Sequence, residues 1–326
     1  MTQQPQPSKS SHTRDPEGAD GAVWRASVVD SEGYNGSVRG VDISAIRIGA
    51  SREPNSVATV SDDALTITGV HVGFPIATTT QIPDDSLIVT RIRAAAPGSR
   101  WVGIPLQAGQ SLLYGPAVEH AGINLPGTAF TFVAVGIESV EQQADLLRSP
   151  SFGIDPGAVR DVTALTDFDV VTDACVAIAD LRAGTVPLPN VMDDLLSHLA
   201  IALGRQDEPA RVQRRQDRVK IVRRCLELAE SVDGRPSIRE LCLAAGVPER
   251  TLREAFITLY DAPPSVFFRH WALDRAFSRL SAGVPIVGGV TEVALGAGFG
   301  HFGRFAQYYR QAYGESPSET YGLRGS

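Results

Sequence analysis

The sequence predicts an α+β protein of two domains: an N-terminal β-barrel or sandwich followed by helices, and a C-terminal all-α domain holding a tandem helix-turn-helix. Three observations carry this prediction. One helical pattern occurs twice in the last third, short β-branched runs alternate with turn residues over 22–140, and the two halves carry opposite net charge. The repeat is the most informative. Its first copy runs Leu241-Cys-Leu-Ala-Ala-Gly246-Val, then Leu252, Phe256, Tyr260, Asp261 and Pro264. Its second runs Val293-Ala-Leu-Gly-Ala-Gly298-Phe, then Phe305, Tyr309, Tyr313, Gly314 and Pro317. The offset is 52 residues up to the glycine and 53 after it, so the copies differ by one residue in the turn. A short apolar helix, a Gly where the chain reverses and a second helix with apolar residues at i and i+4 make a helix-turn-helix. The second helix keeps one face free for a DNA major groove, and two copies imply two grooves.

Taken in order, residues 1–21 are polar and rich in Pro and Ser, without the apolar stretch of a signal peptide, and read as a disordered tail. Residues 22–140 hold strand-like runs such as Leu65-Thr-Ile-Thr68, Ser86-Leu-Ile-Val-Thr90, Ser111-Leu-Leu-Tyr114 and Phe130-Thr-Phe-Val-Ala-Val135. Gly, Pro, Asn and Asp break them at near-regular spacing, as in a sandwich or barrel. From 141 to 204 the texture is helical, with apolar residues three and four apart over 141–147, 164–181 and 191–203. Pro187 and Pro189 separate the last two helices, which form a homodimerisation surface (164–203) or simply cover the barrel. Residues 205–216 read as a linker whose basic run, Arg211 to Arg218, leads into a helix with Ile221, Val222, Cys225, Leu226 and Ala229. Such a run contacts phosphate or is a solvated face.

Composition narrows the class. The 326 residues are 43% apolar, with no apolar run near the roughly 18 residues a membrane helix needs, so a cytoplasmic protein without a membrane span is expected. Cys175, Cys225 and Cys242 are an odd set without metal-ligand spacing and read as buried reduced thiols. The net charge of −7 argues against nucleic acid until the chain is divided. Residues 1–208 hold 13 basic and 25 acidic side chains, and residues 209–326 hold 17 and 12, giving −12 and +5. A basic module attached to an acidic domain fits DNA binding. Of the 17 basic residues 16 are Arg, which forks onto phosphate and guanine. Genome composition accounts for that bias equally well, since Lys9 and Lys220 are the only lysines in the chain.

The helical domain builds up element by element. Ser237-Ile-Arg-Glu240 is a capping box that opens the first helix of motif one. Gly246 ends that helix and Pro248 begins the next. From Glu249 to Tyr260, Leu252, Phe256 and Leu259 form the core face. Arg250, Thr251, Arg253 and Glu254 then lie opposite, near the helix start that meets base edges. Arg grips guanine O6 and N7, and Glu accepts from cytosine N4. Asp261 stands where motif two has Gly314, a position suited to left-handed backbone. Pro264 opens a helix of about 17 residues, roughly 25 Å long, which serves as a strut between two reading helices. In motif two Phe305, Tyr309 and Tyr313 form the core face, which leaves His301, Gly303, Arg304 and Gln307 for DNA. Gln307 suits adenine, Gly303 permits close backbone approach, and His301 either contacts a base or caps its own helix. Ser316-Pro317-Ser-Glu319 is a second capping box.

These residues resemble the AraC/XylS family of bacterial transcription regulators. The resemblance rests on Gly-Val before Glu-Arg-Thr-Leu-Arg (249–253), then Ala-Gly-Phe (297–299), Arg-Phe (304–305), Tyr-Arg (309–310) and Tyr-Gly-Glu-Ser-Pro-Ser (313–318), in order over about 115 residues. It implies a monomeric two-motif DNA reader joined to a ligand-sensing or dimerising domain, with duplex DNA, a small-molecule effector and RNA polymerase as partners. Leu113-Tyr-Gly-Pro-Ala-Val-Glu-His120 also resembles, more loosely, the cupin-like sensor of such regulators. The chain departs from the family at Ala272, where a basic residue usually precedes Leu273, and at Trp271 and Phe277, which stand at positions often occupied by Arg. Phosphate contacts from this helix are then fewer, or the aromatic surface packs on the sensor.

Two other classes compete. A cupin-type metal-dependent enzyme would need three suitably spaced ligands, and the β region offers His71 and Glu119-His120 with no His-x-His pair. No catalytic residues, metal site or cofactor are therefore expected. The Gly-rich stretch 283–289 lacks the Lys-Ser/Thr of a phosphate loop, and Gly288-Gly289 reads as a turn before motif two. A ligand-independent architectural DNA-binding protein would have no use for a 200-residue acidic attachment. Trp101, Tyr114, His120 and Phe132 line an effector pocket or are ordinary core residues.

Overall fold

The computed structural model describes residues 23–29, 41–51, 53–61, 64–148, 159–163, 188–204 and 213–323. The expected tail 1–21, the expected helix 164–181 with Cys175 and most of the linker lie outside the described residues. The strands are β1 (Val23–Val29), β2 (Asp42–Arg47), β3 (Asn55–Ser61), β4 (Leu65–His71), β5 (Ile76–Gln81) and β6 (Ser86–Ala94). They continue with β7 (Arg100–Trp101), β8 (Ile104–Pro105), β9 (Ser111–Tyr114), β10 (Glu119–Asn124), β11 (Ala129–Gly136) and β12 (Val159–Asp161). The helices are α1 (Ile137–Leu147), α2 (Leu188–Gly204), α3 (Gln213–Ser231), α4 (Ile238–Ala245) and α5 (Glu249–Tyr260). After them come α6 (Pro264–Ser281), α7 (Gly289–Gly296), α8 (Phe302–Tyr313) and α9 (Pro317–Leu323).

The strands form two antiparallel sheets. One has the order β1-β3-β4-β11-β6-β9-β12 and the other β2-β5-β10-β7-β8. Because strand side chains alternate between faces, the seven-stranded sheet makes two cores. Its outer face, with Leu65, Ile67, Leu87, Val89, Val133 and Val135, packs under α1 and α2. Its inner face, with Val70, Ile88, Ile92, Tyr114, Phe130 and Phe132, meets Ile43, Ile76 and Trp101 of the five-stranded sheet. The outer face of that second sheet gives Ile46, Ala77, Ala121 and Ile123 to the core of the helical domain, and Val102 between β7 and β8 joins them. The molecule is thus layered: helices, sheet, core, sheet, helices.

Several sequence expectations change. Residues 141–204 are not helical throughout, because Val159–Asp161 adds an edge strand beside β9. Its three residues are too few for an alternation pattern to emerge. Helix α1 starts at Ile137, at the end of β11, and α2 lies on the sheet through Leu195, Leu199 and Leu203. Pro189 does not end a helix but sits second in α2, a position where a missing N–H is tolerated. Helix α3 begins at Gln213, inside the stretch read as linker. Cys225 is buried, but Cys242 is only half-buried. Among the described residues no helix is long and apolar enough to cross a membrane.

In the helical domain both capping boxes form. Ser237 Oγ accepts from Glu240 N while Ser237 N donates to the Glu240 carboxylate, and Ser316 pairs with Glu319 in the same way. Gly246, Asp261 and Gly314 close their helices in left-handed backbone. The two motifs share one aromatic core. Phe256 stands 5.1 Å from Phe267 and 5.6 Å from Phe268, while Phe277 stacks on Tyr313 at 4.4 Å. Phe256 is fully buried and Ile257, its neighbour, is exposed. Phe256→Ala is therefore expected to cost roughly 3–5 kcal/mol through the cavity it leaves. Ile257→Ala should stay within about 0.5 kcal/mol of wild type. Urea melts of the two variants check the pair.

Candidate functional site

Helix α5 carries its apolar residues Leu252, Ala255, Phe256, Leu259 and Tyr260 into the core, and α8 does the same with Phe305, Tyr309, Ala312 and Tyr313. The opposite faces are open. Arg250, Thr251, Arg253, Glu254, His301, Gly303, Arg304 and Gln307 are all exposed. They fall on the N-terminal turns of the two corresponding helices, as the repeat requires. Arg250 and Glu254 pair with each other at 3.0 Å across one helical turn. Such an exposed pair is worth well under about 1 kcal/mol, so it yields readily to a stronger partner. Arg253 makes no ion pair among the described residues. His301 is the N-cap residue of α8 without a side-chain capping bond, so capping does not occupy its ring. At Gly303 a Cβ would meet nothing within 4 Å, so the space beside the helix there is open.

Sequence reasoning missed the space between the motifs. A cleft of ≈ 410 Å³ runs from the start of α4 (Ser237, Ile238) to the turn before α8 (Gly298, His301). Arg235, Arg269 and Arg304 border it. Arg235 lies 5.7 Å above Phe299 and Arg269 lies 4.4 Å above Tyr308, so both cations are steered by aromatic rings from motif two. Neither arginine falls within the repeated pattern, which is why spacing alone does not find them.

A second cavity lies between the sheets. Its volume is ≈ 60 Å³, more than one water needs. Trp101, Tyr114, His120 and Phe132 all line it, together with Phe130, Asn124 and three threonines. His120 sits edge-on to Trp101 at 5.1 Å and to Tyr114 at 5.4 Å. Trp101 Nε1 donates to Asn124 Oδ1 at 2.8 Å, whereas His120 Nε2 is buried without a hydrogen-bond partner. Burial lowers the His120 pKa to about 3, so its ring is neutral near pH 7. Glu119, next in sequence, points to the opposite face of β10, and His71 is exposed at the end of β4, so the three ligands a cupin metal site would need do not converge. Among the described residues no cluster of three His, Cys, Asp or Glu could hold a metal ion.

The five-stranded sheet is the wall between this cavity and the helical domain, and neighbouring residues serve opposite sides. On β10, His120 lines the cavity and Glu119 forms a 3.0 Å ion pair with Arg223 of α3. On β5, Thr78 and Thr80 line the cavity, while the Thr79 hydroxyl meets Tyr260 Oη of α5 at 2.8 Å. At β7, Trp101 lines the cavity, Arg100 reaches Asp261 at 3.4 Å, and Val102 enters the helical core. Gly103, at φ +73°, lies so close to α5 that a Cβ would stand 2.8 Å from Thr258 Cγ2 and 3.0 Å from its carbonyl oxygen. The C-terminal turn of α5 is therefore held by the sheet and its N-terminal turns are free. Arg47 of β2 extends the contact to motif two, with its guanidinium 5.1 Å from Tyr313 and 6.0 Å from Phe277. The unexpected aromatic at 277 thus faces the β domain.

Comparison with known proteins assigns the helical half. A helix-turn-helix domain model matches residues 241–321. The XylDLEGF operon transcriptional activator 2 of Pseudomonas putida is 34% identical over 96 residues, 29% of this chain and 61% of the relative. Residues 241–321 are a helix-turn-helix domain of the AraC/XylS type. A probable thc operon regulatory protein of Rhodococcus erythropolis is 33% identical over 100 residues, 30% of each chain. A solved structure of a probable AraC family transcriptional regulator from Rhodopseudomonas palustris is 34% identical, covering 32% of this chain and 98% of that one, with a TM-score of 0.30. The match thus spans under two thirds of these curated relatives' own length.

The buried histidines give an acid-side prediction. His120, held at about 3, and His270, held at about 4 mainly by burial, are both depressed below the unfolded value of about 6.5. The unfolded chain takes up these protons first, so their contribution is complete above about pH 6.5 and is lost as pH falls toward the folded values. Melting temperature is expected to fall between pH 7 and pH 5, and less steeply in His120→Phe. Equal slopes in the two proteins would refute the neutral buried state of His120.

Proposed function

We propose that this chain is a cytoplasmic transcription regulator that reads duplex DNA with α5 and α8 and is controlled by a small molecule held between its sheets. The β domain is its sensor, a cupin-like barrel in this reading. The observation that supports it best is the placement of α5. Its N-terminal turns present Arg250, Thr251, Arg253 and Glu254 to solvent, and its C-terminal turn is bonded to the sheet that walls the cavity. Occupancy of the cavity then alters how firmly the first reading helix is held, which is the differential contact a ligand needs in order to shift an equilibrium.

Each base-reading role follows from donor chemistry. Arg250 and Arg253 supply bidentate donors for guanine, Glu254 an acceptor for cytosine and Gln307 an amide for adenine. Thr251, His301 and Arg304 complete the two surfaces, Gly303 admits the backbone, and Arg235 and Arg269 in the cleft serve phosphate between the grooves. Helix α6, 18 residues and about 27 Å long, is the strut that sets their separation. Residues 164–203 are proposed as the homodimer surface; within them, α2 uses one face on the sheet. RNA polymerase is the further partner such a regulator requires.

The test is binding of the full chain to a bipartite site with halves about one helical turn apart. Arg253→Ala should weaken the preferred site by about 1–3 kcal/mol and relax preference at one or two base pairs. Its melting temperature should stay unchanged. Equal losses on preferred and scrambled duplexes would contradict the assignment of this face to bases.

A further inference from the structure

The cavity between the sheets has a lining that selects for charge as well as shape. Its walls are mainly aromatic and aliphatic, with Asn124, His120 and three threonines among them, and among the described residues no Lys, Arg, Asp or Glu lines it. A carboxylate entering such a space would lose its hydration with no cationic side chain to offset the loss. Three of its polar groups are engaged with one another. Trp101 Nε1 donates to Asn124, and Asn124 Nδ2 donates to Thr78 Oγ1 at 3.4 Å. His120, 8% exposed, differs from these three: its Nε2 is buried and has no hydrogen-bond partner. A buried polar atom left unpaired is costly, and a ligand able to bond it recovers that cost.

From this geometry we infer that the ligand is a small uncharged aromatic alcohol or phenol, its ring among Trp101, Tyr114 and Phe130 and its hydroxyl on His120. The inference rests on the reading of this cavity as the effector site and narrows it to one chemical class. The neutral ring of His120 offers one donor and one acceptor nitrogen, whichever tautomer is present. A hydroxyl both donates and accepts, so it satisfies the free nitrogen in either case. A rigid planar ring also suits walls made of edge-on aromatic contacts, where stacked and T-shaped approaches are favoured.

Three probes of one shape test the class: benzyl alcohol, ethylbenzene and benzoate, each titrated into the full chain at pH 7.5 by calorimetry and by thermal shift. Benzyl alcohol is expected to bind best. Ethylbenzene should bind about 3- to 10-fold more weakly, the worth of one net hydrogen bond, and benzoate should show no binding in the same range. His120→Leu should erase the difference between alcohol and hydrocarbon while keeping the hydrocarbon affinity. If that variant does not fold, the wild-type ranking decides alone. Benzoate binding as tightly as the alcohol, or ethylbenzene matching it, would overturn the inference and leave the effector site standing. Failure of all three probes to bind would overturn both.

Discussion

Successive side chains of a β-strand point to opposite faces, and in the five-stranded sheet both faces are covered. All six residues of β10, Glu119 to Asn124, are buried. The cavity and the helical domain therefore share one wall that is a single backbone thick. A side chain that moves on the cavity side shares its peptide plane with one on the helix side: His120 with Glu119, Thr78 and Thr80 with Thr79, Trp101 with Arg100 and Val102. Packed interiors deform little, so displacement on one face is passed on rather than absorbed. Everything proposed for this molecule as a regulator depends on that shared wall.

The contacts across the wall differ in weight. The Arg100–Asp261 pair is exposed on the Asp side and contributes little. The Glu119–Arg223 pair has its carboxylate nearly buried, so removing Arg223 would strand a charge. The Tyr260 hydroxyl is buried, and with Thr79 it forms a bond that no water replaces easily. Around these polar points Ile46, Ala77, Val102, Ala121 and Ile123 join the same apolar cluster as Phe256 and Phe268. The β domain is thus continuous in packing with motif one. Its reach to motif two is narrower and centres on Arg47, whose guanidinium lies over the rings of Phe74 and Tyr313 and whose pKa is lowered mainly by burial.

Legibility from sequence followed periodicity. The helical domain repeats a pattern with a 3.6-residue period, and the buried and exposed faces of α5 and α8 could be assigned residue by residue. Strands β4, β6, β9 and β11 were visible because they are β-branched runs bounded by turn residues. Strands β5 and β10 were not visible. Ile76-Ala-Thr-Thr-Thr-Gln81 and Glu119-His-Ala-Gly-Ile-Asn124 do not alternate apolar with polar, since each face of this sheet meets a different buried surface. Of the five aromatic and imidazole residues that line the cavity, Trp101, Tyr114, His120 and Phe132 could be singled out for their chemistry, with core packing as the stronger alternative, and Phe130 was not. The contacts of Arg223, Tyr260 and Arg47 across the wall could not be found, because they join residues about 100 to 270 apart in sequence and follow only from tertiary packing.

Amide hydrogen exchange along α5 tests the shared wall most directly. Trp101→Ala opens the cavity from the β side and touches no residue of the helical domain's reading face. If the wall transmits, exchange should quicken in the last turns of α5, from Ile257 to Asp261, while α7 and α8 keep their wild-type rates. Faster exchange confined to the strands, with α5 unchanged, would contradict the account.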